Sequence, residues 1–216
     1  MEKRFLNVSL LIISILFIFS PLQVAAHGHT QSHSQPLSHS AVQLKDHLHK
    51  LWIDHTLWTR SYITSALVNL EDQDKVLARL LKNQENIGNA IKPYYGEKAA
   101  QTLSELLKQH ILIGGKVVEA AKTGNQPDLE KYNKEWYKNA DDMAKFLSSA
   151  NPNWSDKVLK EMLHKHLDFV TKQLVARIHK DWDADILAFD QGEDHMVHFA
   201  DTLAEGIIKQ FPKRFQ

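Results

Sequence analysis

Apolar side chains recur at spacings of three and four residues along most of the chain after residue 40, whereas alternating strand-type patterns are scarce. This period places the apolar side chains on one stripe of an α-helix, and that stripe must be buried against other helices. Short polar connections such as Asn151-Pro152-Asn153 favour antiparallel neighbours. The pattern predicts an all-α fold: an up-and-down helical bundle with four long core helices plus one or two additional helices.

The limits of the helices follow from where the apolar stripes stop and where breaking residues occur. The clearest breaks are Pro93-Tyr94-Tyr95-Gly96 and Gly124. No tandem repeat at a solenoid period interrupts this organisation. The predicted helices cover residues 41–70, 73–91, 97–122, 128–149, 155–182 and 185–209.

The N-terminus has the pattern of a secretory signal peptide. Lys3 and Arg4 precede an apolar run over residues 10–19, and Val24 and Ala26 supply small residues before a cleavage point. The run is shorter than the roughly 20 residues that span a membrane. The pattern predicts a signal peptide over 1–26, cleavage directly after Ala26, and a secreted or extracytoplasmic protein without a stable membrane span. An uncleaved N-terminal anchor is the alternative.

Composition narrows the possible functions. Cleavage leaves 190 of the 216 residues, enough for one helical bundle domain over 41–216. Removing Glu2, Lys3 and Arg4 leaves 24 basic and 25 acidic side chains, and without a basic stripe we expect no nucleic-acid partner. The chain has no cysteine, which excludes thiolate catalysis, Fe–S clusters and cysteine-type zinc sites. No nucleophile elbow, phosphate loop or dinucleotide motif occurs, so no catalytic residue is predicted and enzymatic activity stays open.

Residues 27–40 form a segment rich in histidine and serine that is typical of a flexible tail. Cleavage after Ala26 makes His29 the third residue of the mature chain. A terminal amine, two backbone amides and a third-position imidazole then offer four nitrogens in a square plane, which Cu(II) and Ni(II) favour. A passive linker is the alternative. The predicted metal ligands of the tail are His27, His29, His33 and His39.

Three histidines interrupt apolar stripes on three different predicted helices: His55, His110 and His166. Asp142 lies beside the stripe of a fourth. Counted from the connecting turns at about 1.5 Å per residue, Asp142 and His166 lie at roughly 12 and 17 Å, and His110 and Asp142 at roughly 18 and 21 Å. His110, Asp142 and His166 can therefore share one layer, whereas the height of His55 is less constrained by its connection. Together the four residues are predicted to form a His/Asp site for Cu, Ni or Zn in the bundle core. A metal-free network His110–Asp142–His166 would satisfy these polar groups equally well. Further candidates for this polar layer are Asn83, Asn139, Gln173 and Arg79.

An ordered series of short motifs over about residues 51–212 resembles an uncharacterised family of small helical bacterial proteins. The motifs are LWIDHTLWTR, RLLKNQENIGNAIKPYYG, LLKQHILIGGKVVEAAK, WYKNADDMAKFLSSANPNW, MLHKHL and GIIKQFP. Members commonly carry the labels glycosyltransferase or acetylglutamate kinase, but no nucleotide-binding or sugar-binding motif occurs here. The resemblance implies a helical fold and no particular catalytic residue. In architecture, a bundle with histidines on several helices is also similar to DinB-type metal-binding proteins.

Three functions remain open from the sequence. The first is an exported protein that binds a divalent transition metal through the tail and the bundle histidines. The second is a metal-free secreted structural or interaction protein whose polar network only fixes packing. The third is a DinB-like metal-dependent enzyme with an open coordination position. A metal ion is the expected partner in the first and third, and any protein partner is undetermined.

Overall fold

The structure is a computed structural model that describes residues 37–216. Over these residues the chain forms five α-helices and a short 3₁₀ turn, without a β-strand, which confirms the predicted all-α bundle. None of these helices is long and apolar enough to cross a membrane. The elements are α1 (His39–Val68), α2 (Gln73–Thr123), α3 (Gln126–Ala150), α4 (Asp156–Ile178), α5 (Trp182–Gln210) and η1 (Pro212–Arg214).

Helix α2 folds back on itself at Gly96, whose φ of 81° is accessible mainly to glycine. Nζ of Lys108 lies 2.6 Å from Oε1 of Glu85, although a straight helix would separate these residues by about 34 Å. The two arms, residues 73–95 and 97–123, are therefore antiparallel neighbours. This reversal confirms the predicted helix break before and at Gly96.

The five helices form a closed ring in which each helix packs on the next in the chain and α5 returns to α1. The apolar stripes meet inside this ring, and each large side chain buried there contributes about 1.5–3 kcal/mol. The largest fully buried apolar side chains are Leu48, Ile63, Leu80, Ile87, Met143, Leu159, Leu167, Met196, Phe199 and Ile207. One continuous core results, and the polar residues of the stripes lie within it.

Helix α1 begins two residues earlier than predicted. The side-chain oxygen of Ser38 accepts a hydrogen bond from the backbone N–H of Ala41, and this N-cap starts the helix at His39. His39, predicted to belong to the flexible tail, therefore lies in the first turn of α1 with an exposed side chain. The predicted signal peptide and the other three tail histidines lie outside the described residues.

A buried carboxylate ties three helices together near one end of the bundle. Asp185 on α5 is 2% exposed and accepts hydrogen bonds from both Arg60 on α1 and Arg177 on α4, at 2.9 and 2.6 Å. The guanidinium groups stack on Phe189 and Trp182, respectively. Because the negative charge is fully enclosed, this triplet fixes the positions of α1, α4 and α5 against one another.

Candidate functional site

Three of the four predicted core residues converge in the middle of the bundle. His55 on α1, His110 on the second arm of α2 and His166 on α4 are 2%, 3% and 4% exposed. Nε2 of His55 lies 3.4 Å from Nε2 of His166, and the ring centres of His110 and His166 are 6.2 Å apart. The structure thus brings together three imidazoles from separate apolar stripes at one height.

The position of the proton on His55 follows from its neighbours. Nε2 of Gln84 donates to the backbone oxygen of Leu80 and to Oδ1 of Asn83, at 2.8 and 3.0 Å. Oε1 of Gln84 therefore faces Nδ1 of His55, at 3.2 Å, and an amide oxygen can only accept. Nδ1 of His55 carries the proton, and its Nε2 presents a lone pair toward His166.

His110 is held in the same way by a different amide. Nδ2 of Asn139 donates to the backbone oxygen of Leu106 at 3.1 Å, which leaves Oδ1 to accept from Nδ1 of His110 at 2.8 Å. The ring also packs against Trp136, with centres 5.3 Å apart. Nε2 of the neutral His110 therefore holds a lone pair inside the bundle.

His166 is the only one of the three without an amide partner in the described part of the chain. A hydrogen bond between the two rings requires that Nε2 of His166 carry the proton, because Nε2 of His55 can only accept. Nδ1 of His166 then holds a lone pair, and this atom is buried without a hydrogen-bond partner among residues 37–216. The N–N distance of 3.4 Å is long for a hydrogen bond.

Burial keeps the three imidazoles uncharged near neutral pH. It lowers the pKa of His55 to about 4, against the hydrogen bond to Gln84. It lowers the pKa of His110 to about 3, opposed by Asn139 and reinforced by the nearby His55. The pKa of His166 also falls well below its usual value, because burial is joined by repulsion from the other imidazoles. Neutral imidazole is the form that binds metal ions.

Asp142 does not join this cluster, contrary to the prediction. Its side chain is 47% exposed and Oδ2 lies 2.6 Å from Nζ of Lys138, one turn earlier on α3. Asn139 lies on the buried face instead and contacts His110. Asp142 lies three positions after Asn139, and three steps of about 100° leave its side chain about 60° away from that of Asn139 around the helix. Because burying a charged carboxylate is costly, Asp142 turns toward water and the predicted His110–Asp142–His166 network does not form.

Gln84 is a member of the buried polar layer that the sequence analysis missed. It is completely buried and orients His55. Its neighbour Asn83 was the residue assigned to the polar layer. The sequence did indicate that Gln84 is buried. It lies four residues after Leu80 and three before Ile87, which places it on the inner stripe of the helix.

Two small cavities adjoin His166. One, of about 30 Å³, lies beside all three imidazoles and Trp136. The other, of about 20 Å³, lies between α1, α4 and α5. Each volume suits a water molecule or a single ion rather than an organic substrate.

The imidazoles provide ligands suited to Zn, Cu or Ni. Only His55 and His166, however, place their nitrogens at the distance that separates two ligands of one ion. Two nitrogens bound at about 2.0–2.1 Å to one tetrahedral zinc ion are about 3.4 Å apart, the separation of Nε2 in His55 and His166. Across residues 37–216, no group of three or more histidine, aspartate or glutamate side chains is arranged to hold a metal ion. A third ligand requires the His110 ring to move toward the pair.

Comparison of the chain with family models, curated proteins and solved structures gives no match.

Proposed function

We propose that this protein is an exported helical bundle that binds one divalent transition metal ion through His55, His110 and His166. The histidines of segment 27–40 act as a looser capture site. The observation that carries the proposal is the 3.4 Å separation of the two Nε2 atoms of His55 and His166. The charged, apolar and small residues of segment 1–26 support export.

The amide partners support the same assignment. Metal-bound histidines almost always donate their second N–H to an oxygen that fixes the tautomer and the ring orientation. Gln84 and Asn139 do this for His55 and His110, and both amides are anchored on backbone oxygens. The two rings thus present Nε2 lone pairs before any ion arrives.

Binding requires one internal change at His166. Its Nε2 must release the proton that bridges to His55, and the proton moves to Nδ1. Nδ1 can receive it, because this atom is buried without a hydrogen-bond partner among residues 37–216 and His166 borders a cavity of about 20 Å³, which has room for a water molecule that accepts the new N–H. No net proton is released, so metal affinity at this site stays nearly constant between pH 7 and pH 6.

A metal-free structural or interaction protein is the second candidate. It is favoured by the lack of a three-ligand group over residues 37–216 and by the protonated nitrogens of His55 and His110, which already have acceptors. In that case the polar layer fixes the register of α1, α2 and α4. A DinB-like enzyme is less well supported, because the cavities beside the imidazoles hold about 20 and 30 Å³, too little for an organic substrate.

Metal analysis of the untagged mature protein, residues 27–216, tests the proposal. A parent chain in which all four tail histidines are replaced by alanine removes the capture site. After incubation with Zn(II) and desalting, we expect one ion per parent chain and less than a tenth of an ion when His166→Ala is added. Asp142→Asn is the matched control and should retain the full ion. A parent chain that binds no ion would refute the bundle site and would favour the metal-free structural or interaction protein.

A further inference from the structure

Exposed apolar side chains are concentrated where α4 and α5 meet, on both sides of the turn that joins the two helices. Val175 and Ile178 on α4 and Trp182, Ile186 and Leu187 on α5 are each between 37% and 58% exposed. Val175 and Leu187 line a groove of about 490 Å³ between the two helices. Monomeric proteins rarely expose apolar side chains grouped in this way, and such groups commonly mark protein interfaces.

The α4 edge of this groove is basic. Lys172 lines the groove, and Lys165 lies two turns earlier on the same side of α4. The Nζ atoms of Lys165 and Lys172 lie 4.9 and 5.7 Å from the ring centre of Phe169, a residue that packs on α5 at Gly192. Neither lysine forms an ion pair with a carboxylate of residues 37–216, so both charges are uncompensated.

The α5 edge is acidic. Asp183, Asp190 and Asp194 are exposed, and their spacings of seven and four residues place them on one outer face of α5. Within the described part of the chain, none of the three carboxylates pairs with a lysine, arginine or histidine. The apolar groove therefore separates an unpaired basic edge from an unpaired acidic edge.

The two edges carry their charges at matching heights. A Cβ atom at Gly192 would lie 3.2 Å from Cβ of Phe169, so these two residues of the antiparallel helices are level. Three residues further along α4, Lys172 is level with Phe189 and lies within about 1.5 Å of the height of Asp190. By the same count Lys165 and Asp194 differ in height by about 3 Å, and Val175 is level with Ile186.

We propose that this groove is the contact surface between two copies of the chain, related by a two-fold axis that runs along the groove. Such an axis places α4 of one copy opposite α5 of the other at the same height, and every contact occurs twice. Lys172 then meets Asp190 of the partner subunit, and Val175 packs on Leu187 of the partner subunit. A second copy fits this surface because it supplies opposite charges at the required heights. The dimer does not depend on the proposed metal site.

Sedimentation equilibrium over a concentration series tests the dimer, using the mature chain with its four tail histidines replaced by alanine so that metal ions cannot link the tails. We expect an equilibrium between one and two copies. Lys172→Glu and Asp190→Lys should each raise the dissociation constant of the dimer at least tenfold, because each variant places like charges opposite one another. The double variant restores opposite charges and should return the dissociation constant to within about threefold of the parent value. Lys98→Glu, a matched charge reversal at an exposed lysine near the reversal of α2, should have no effect.

The apolar part of the surface is tested in the same experiment. Leu187→Ser should raise the dissociation constant at least tenfold, because the dimer buries two copies of this side chain. Leu112→Ser is the matched control, since Leu112 is 49% exposed on α2 and lies outside the groove. Circular dichroism of every variant should show the helix content of the parent.

A parent chain that sediments as a single copy at every concentration would overturn the proposal. Equal weakening by Leu187→Ser and Leu112→Ser, or by Lys172→Glu and Lys98→Glu, would place the contact elsewhere and would overturn it too. A double charge variant as weak as the single ones would show that Lys172 does not face Asp190 of the partner subunit. None of these results changes the zinc content of the parent chain, which decides the metal site separately.

Discussion

Nε2 of His55 and Nε2 of His166 face each other at 3.4 Å in the centre of the bundle, and both rings are buried. Two such nitrogens can share one proton or one metal ion. The distance is long for a hydrogen bond and matches the spacing of two ligands on a tetrahedral ion. The metal-bound and metal-free hypotheses therefore share this pair of nitrogens. They differ in whether a metal ion or a proton lies between the two Nε2 atoms.

Replacing the amide that holds His110 should destabilise the protein. Asn139→Leu leaves Nδ1 of His110 and the backbone oxygen of Leu106 without their partner inside the core. We expect the free energy of unfolding to fall by about 2–3 kcal/mol, measured by urea denaturation followed by circular dichroism. Asp142→Asn, which disturbs only a surface pair with Lys138, should cost less than about 0.5 kcal/mol. Equal effects from the two variants would contradict the assigned network.

The stability of the metal-free protein should fall as the pH decreases from 6.5 toward 5. The unfolded chain protonates its histidines near pH 6.5, whereas the folded pKa values of His55 and His110 are about 4 and about 3. The unfolded state thus binds more protons in this window, and each buried imidazole contributes a slope of up to about 1.4 kcal/mol per pH unit.

Urea denaturation at several pH values with and without His110→Gln measures this contribution. The variant lacks one buried imidazole, so its stability should decline less steeply between pH 6.5 and 5. An unchanged slope would show that His110 protonates in the folded state as readily as in the unfolded one.

Removing the carboxylate that joins α1, α4 and α5 should be among the most damaging single changes. Asp185→Ala leaves the guanidinium groups of Arg60 and Arg177 adjacent and without their shared counter-charge. We expect a loss of about 3 kcal/mol or more in the free energy of unfolding, measured by urea denaturation. Glu85→Gln, at a partly exposed carboxylate that pairs with two lysines, should cost less than about 1 kcal/mol. A loss below 1 kcal/mol for Asp185→Ala would contradict the role of Asp185 in holding the three helices together.

The N-terminal segment supports a prediction about one peptide bond. Mass spectrometry of the exported protein should show His27 as the first residue. The mature chain should then bind Cu(II) in a square-planar nitrogen set that His29→Ala abolishes and His33→Ala retains, followed by visible absorption. Cleavage one residue away, or equal loss in both variants, would contradict the third-position role of His29.

The spacing of apolar residues was sufficient to predict the helices. Six helices with one apolar stripe each can bury those stripes only by packing against one another, which predicts a bundle. The reversal at Gly96 was also predictable from the residues that break the pattern. Counting residues from the turns placed His110 and His166 at similar heights, and the structure brings their ring centres to 6.2 Å. Height follows from the rise per residue and needs no knowledge of side-chain contacts.

Rotation about the helix axis was less predictable than height. Asn139 and Asp142 differ little in height, but only Asn139 faces the core, because an amide costs less to bury than a carboxylate. Gln84 orients His55 because its amide N–H2 donates to Oδ1 of the neighbouring Asn83. The apolar pattern does not reveal a hydrogen bond between two side chains of this kind. The two cavities could not be predicted, because they are the spaces left after every side chain has packed.

Anomalous diffraction from crystals of the Zn(II)-treated protein, recorded above and below the zinc absorption edge, determines whether the bundle core holds a metal ion. The tail histidines should be replaced by alanine so that only the bundle can hold the ion. We expect one zinc peak in the core, about 2.0–2.1 Å from Nε2 of His55 and of His166, with the ring of His110 moved to become a third ligand. An ordered core without a zinc peak, in protein exposed to excess zinc, would show that the three histidines do not form a metal site.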